Sequence, residues 1–155
     1  MTDGAASGTM TRAGAVALSD TLASLSSVEQ WLYRGLSTAL GEAGLSVEQW
    51  RLLNLVKALE APTMGELAAA SALPGASLSR TVDALEDDAS VFRLVDQDDR
   101  RRITVRLSDR GASRLAVAQE IVAAWDANLR RVLGADVVGR LSELTATMAE
   151  RLTER

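Results

Sequence analysis

The chain has 155 residues, 47% of them hydrophobic but only 3% aromatic, and a formal net charge of −4. That length suits one domain, or one protomer of an intertwined oligomer. It contains no Cys and no His, which excludes disulfides, thiolate metal sites and thiol-based redox sensing, and removes the commonest general base.

A metal site would have to use carboxylates alone, so no metal and no cofactor are expected. No apolar run approaches the roughly 18 to 20 residues of a membrane span. Residues Met1 to Gly8 lack the basic-then-apolar layout of a secretion signal, so a soluble, cytoplasmic protein is expected. The apolar content is mainly Ala, Leu and Val, a mixture suited to packed helices.

Residues 1–13 are mostly Gly, Ser, Thr and Ala and are expected to form a flexible tail. From about Ala15 to Leu40, the leucines 18, 22, 25, 32, 36 and 40 fall at spacings of four, three and seven, which predicts one long helix. Gly41 and Gly44 end it. A single apolar stripe on so long a helix points to a partner chain. Ser46 and Gln49 fit a capping box opening a second helix. Leu52, Val56 and Leu59 mark its buried face, and Pro62 stops it. Thr63 and Glu66 form another capping box before a short helix, which Ser71 to Gly75 breaks. A third helix runs from Pro74 or Gly75 to about Asp87. Leu78, Val82 and Leu85 mark its buried face, while Ala76, Arg80 and Asp83 point the opposite way, flanked by Ser77 and Ser79.

A hairpin is expected from about Val91 to Leu107. Ile103, Val105 and Leu107 alternate with Thr104 and Arg106, the period-2 pattern of a half-buried strand. Its tip, Asp96 to Arg102, has no apolar side chain. From Arg93 to Arg114 seven arginines face four aspartates, a locally basic stretch on an acidic chain. Such a face is compatible with nucleic acid, because phosphates feel the nearby field most. Ser108 caps a long helix to about Leu133, where Leu115, Ala118, Val122, Trp125, Leu129 and Val132 form a heptad-like seam. Gly134 closes it, and a last helix spans about Asp136 to Leu152.

Helix, short helix, turn, helix and hairpin describe a helix-turn-helix with a wing. In such modules the second helix of the turn enters the major groove through its N-terminal residues. Gly75, Ala76, Ser77, Ser79 and Arg80 are small or polar enough for that approach. Arg80 has the geometry to read guanine, and the wing arginines to enter a narrow minor groove. The bland alternatives are a solvated turn for the hairpin and an i, i+3 pair of Arg80 with Asp83. The tip acids oppose phosphate unless Asp99 serves to hold Arg101 or Arg102 extended. An alternative function is a winged-helix protein-interaction or dimerisation module without DNA binding, which the net acidity favours. Enzyme chemistry is disfavoured, with no His or Cys, no Gly-rich phosphate loop and no converging carboxylates.

Gln49 to Leu53, Met64 to Ala68, Leu78 to Glu86, and Asp96 to Arg101 followed by Val105 to Ser108 resemble the MarR family of bacterial transcription regulators. The similarity spans about residues 15–153, and the acidic-then-arginine wing is its most specific part. It implies a mainly α fold with a two-stranded β-wing. Residues 14–44 and 109–155 would form a helical dimerisation region, and 45–108 the winged DNA-binding domain. It further implies a homodimeric repressor on a palindromic operator, released by a small, often aromatic, ligand. By position, Ser77, Ser79 and Arg80 belong to the recognition helix, Arg101 to the wing tip with Asp99 orienting it, and Arg100 and Arg102 to supporting phosphate contacts. Tyr33 and Trp50 are the candidate lining of a ligand pocket. The chain departs from the family at Ala89-Ser90, where a Gly followed by Leu or Trp is usual, so a looser lead-in to the first wing strand is expected.

Overall fold

The computed structural model describes residues 18–71, 73–95 and 102–153. The N-terminal tail and the hairpin residues 96–101 lie outside them. The elements run α1 (Leu18–Gly41), α2 (Val47–Leu59), α3 (Met64–Ala70), α4 (Gly75–Asp87), β1 (Val91–Val95), β2 (Ile103–Leu107), α5 (Asp109–Leu133) and α6 (Ala135–Thr153). This is the mainly α architecture with a small β-wing that the residue patterns predict.

The chain divides into two units, Met1–Leu32 and Tyr33–Arg155. In the first, the described residues are the N-terminal part of α1, with Leu22, Leu25, Val28 and Trp31 exposed. The second unit holds the hydrophobic core: Leu40, Leu45, Val47, Leu52, Leu53, Val56, Leu67, Leu78, Val82, Leu85, Val91, Val105, Leu115 and Ala118. α2 is its hub and packs on α3, α4, α5 and β2.

Local chemistry sets the helix starts. The Ser46 hydroxyl accepts from the Gln49 N–H, and the Gln49 side chain accepts from the Ser46 N–H. Thr63 and Glu66 repeat that reciprocal cap on α3. Ser108 accepts from the Gly111 N–H at the start of α5. Each cap satisfies amides that the first turn leaves without helical partners.

Two expectations need correction. Leu59 is 45% exposed instead of buried. Glu60 (φ 49°) and Ala61 (φ 81°) turn the chain left-handed directly after it, so the last turn of α2 overshoots the core. In β2 the alternation fails, with Ile103 44% exposed and Thr104 7% exposed. β2 pairs with β1 on one side, Val95 opposite Ile103 and Val91 opposite Leu107. On the other side it meets the α2–α3 turn, where the Val105 N–H donates to the Pro62 carbonyl (2.8 Å) and Thr104 bridges Thr63. Thr104 is buried by that turn, a tertiary contact outside the strand's own periodicity.

The lead-in at Ala89-Ser90 is anchored, not loose. Ala89 takes a left-handed φ of 58° without being glycine. Ser90 is fully buried. Its N–H donates to the Leu85 carbonyl (2.8 Å), and its carbonyl accepts from the Ser108 N–H (3.1 Å). A Cβ on Gly111 would lie 1.9 Å from that carbonyl, so only glycine lets α5 come this close.

Candidate nucleic-acid interface

α4 shows the buried and exposed faces that its residue spacing predicts. Leu78, Val82 and Leu85 are buried, Gly75, Ala76, Ser79 and Arg80 are exposed, and Ser77 is half-buried. No side chain caps its N-terminus, where Pro74 precedes the first turn. The Arg80 Nε–H donates to the Ala76 carbonyl (3.2 Å), which lays the side chain back along the N-terminal turn. Arg80 does not pair with Asp83. That carboxylate is held instead by Arg93 of β1, Nη2 to Oδ1 at 2.6 Å. Arg93 also binds Glu86 through Nη1, and its backbone N–H donates to Glu86 Oε1 (3.3 Å). The hydrogen bond to Asp83, with Glu86 beside it, raises the Arg93 guanidinium above its usual range against the cost of burial.

Arg102 opens β2 and reaches Glu66 of α3 at 3.5 Å. Both side chains are about half exposed, so the pair contributes little to stability. Glu66 is held below the usual carboxylate range first by the Thr63 amide and hydroxyl, and only lastly by Arg102. Asp99, Arg100 and Arg101 lie outside the described residues.

A second polar cluster fixes the base of the wing to α5. The Arg114 guanidinium binds Asp88, donates to Ser90 Oγ (2.8 Å), and donates to the Gly44 carbonyl (2.9 Å). Burial pushes the Asp88 carboxyl up, and the bonds from Ser90 and Arg114 outweigh it, so its pKa falls below the ordinary value. The end of α4, the start of β1, the α1–α2 turn and α5 thus share one cation. Neither Arg93 nor Arg114 stands out in the sequence. Their partners lie 7 to 70 residues away, and the one local signal is an arginine on an otherwise apolar strand.

Tyr33 and Trp50, the candidate pocket residues, have separate surroundings. The Tyr33 hydroxyl donates to Glu48 Oε1 (2.7 Å), and this bond is the main reason the Glu48 pKa is lowered. Trp50 is half-buried against the core, and its indole N–H is buried with no acceptor among the described residues. Among the described residues, no cluster of three or more His, Cys, Asp or Glu is arranged to hold a metal ion, and no helix is long and apolar enough to cross a membrane.

A helix-turn-helix whose second helix exposes small and polar residues, followed by a two-stranded wing, defines a winged-helix protein. The MarR family model matches residues 43–102. The chain is similar to MarR of E. coli in its apo form, with 25% identity and a TM-score of 0.70, over 80% of this chain and 93% of that one. It is also similar to CouR, a transcriptional repressor solved on a 23-mer DNA duplex, with 26% identity and a TM-score of 0.79, over 85% and 94% of the two chains. An organohalide-sensing regulator solved with 2,4-dichlorophenol shares the fold at 19% identity and a TM-score of 0.77, over 88% and 82%. No curated protein sequence matches. The chain thus resembles the MarR family over residues 43–102 and shares the winged-helix fold of these solved regulators.

Proposed function

We propose that this protein is a dimeric repressor that binds a palindromic operator and leaves it when a small ligand binds. The observation that carries this reading is the exposed face of α4, where Arg80 is laid along an uncapped N-terminal turn with Asp83 already taken by Arg93. In that setting Arg80 reads a base, Ser77 and Ser79 bond phosphates or bases, and the helix N-terminus attracts phosphate. The wing supplies Arg101, with Asp99 orienting it and Arg100 and Arg102 as phosphate contacts. Residues 45–108 form the DNA-binding domain, and 14–44 with 109–155 the dimerisation region. The CouR structure, a repressor on DNA, supports this reading by similarity. The orphaned indole N–H of Trp50 supports a ligand with a hydrogen-bond acceptor, because buried polar groups normally find partners.

The test is selection of duplexes from a random-sequence library, followed by titration of the selected duplex. Arg101→Ala is expected to weaken binding by about 1 to 3 kcal/mol, the usual range for one good groove contact. Arg80→Ala is expected to relax the selected motif as well. Titrations that coincide with wild type, or an unchanged motif, would overturn the respective assignments. Wild-type protein that selects no duplex at low salt would favour a protein-interaction module, the reading that the net charge of −4 suggests.

A further inference from the structure

We infer that Arg93, a wing-strand residue, governs DNA recognition without touching DNA, by taking Asp83 away from Arg80. The inference rests on the DNA-binding role proposed above and adds a positioning residue to it. Asp83 and Arg80 are three residues apart on α4, which places their side chains about 5 to 6 Å apart at Cβ. Left alone, Asp83 would compete for the Arg80 guanidinium and put an anion beside the DNA that Arg80 approaches. That distance lies inside the screening length of about 8 Å at physiological salt. Asp87, also on this face, is about 10 Å along the axis from Arg80 and is screened.

The structure shows the competition resolved in favour of Arg93. Its Nη2 sits 2.6 Å from Asp83 Oδ1. Glu86 holds Arg93 in place twice, accepting from Nη1 and from the backbone N–H. The Arg93 side chain is 29% exposed and that of Asp83 58%. The cation is therefore the anchored member of the pair, and the anion is the one brought to it. Among the described residues, Arg80 meanwhile donates only to its own helix backbone, at Ala76. The strand that begins the wing thus sets the charge seen on the recognition helix, and one side chain couples the two DNA-facing elements.

The experiment is a fluorescence-anisotropy titration of the full chain on the duplex that wild type selects from a random library. Arg93→Gln is expected to weaken binding about tenfold, the order for one charge released a few ångströms from phosphate. Adding Asp83→Asn to that variant is expected to restore binding to within about threefold of wild type on the same grounds. A direct phosphate contact by Arg93, or a purely structural brace, would not be rescued by neutralising Asp83. A loss that the double variant leaves unrepaired therefore overturns the inference, and so does an Arg93→Gln titration that coincides with wild type. Asp83→Asn alone keeps Arg93 and reads the same point should Arg93→Gln fold poorly. Its affinity is expected to hold or rise, and a marked fall overturns the inference. Wild type that selects no duplex overturns the DNA-binding reading and this one together. Wild type that binds while the rescue fails leaves that reading standing.

Discussion

Ala89 and Asp88 show how single residues set the join between α4 and the hairpin. A left-handed φ in a residue with a Cβ costs roughly 1 to 2 kcal/mol, and Ala89 bears it at 58°. Glycine relieves the clash but gains freedom in the unfolded chain. Ala89→Gly is therefore expected to raise stability by about 1 kcal/mol net, and a lowered urea midpoint would contradict this. Asp88 contributes to the pH dependence. Its carboxyl is held below the ordinary value by Ser90 and Arg114 against burial. A depressed folded pKa means stability that is present above the unfolded value, about 4, and lost as pH falls through the lower folded value. Asp88→Asn is expected to cost about 1 to 3 kcal/mol near pH 7, with the gap to wild type closing below about pH 4. Urea midpoints measured across that range check it, and a gap that persists in acid would refute it.

At the scale of elements, the decisive contacts lie where one element ends on another. α5 starts directly against the Ser90 carbonyl, with no room for a side chain at Gly111. Gly111→Ala is expected to destabilise by about 3 kcal/mol or more, since backbone and helix must part to admit a methyl. A thermal melt within a degree of wild type would show that the join is softer than its geometry. Further along, Trp125 packs on the backbone of Gly35, where a Cβ would lie 3.0 Å from the indole nitrogen. Small residues at both positions let α5 pack closely on its neighbours.

For the whole molecule, the distribution of apolar surface matters most. Val137, Leu144, Met148 and Leu152 follow one stripe of α6 and are 49% to 71% exposed. Val132 and Leu133 at the end of α5 are also exposed. A contiguous apolar stripe is unusual on a monomer and marks an association surface. Under the dimer proposed above, Leu144→Glu is expected to shift the protein to monomer at micromolar concentration, by placing a charge in a desolvated interface. Sedimentation velocity reads the mass directly, and a variant that sediments like a dimeric wild type would remove α6 from the interface.

The sequence by itself determined the elements and their order, because helix caps, breakers and 3.6-residue periodicity act over a few residues. Ser46, Thr63, Ser108 and Gly134 mark ends that the fold keeps. It also determined the buried face of α4 and, through its motifs, the resemblance to the MarR family that the match over residues 43–102 repeats. Only the tertiary structure decided what distant partners impose. It buried Thr104 under the α2–α3 turn and exposed Leu59 just before a left-handed corner. It made the Ala89-Ser90 lead-in firm through Gly111 and Arg114, and it gave Asp83 to Arg93 instead of Arg80. These outcomes depend on competition among groups far apart along the chain, and local spacing carries no record of which partner wins.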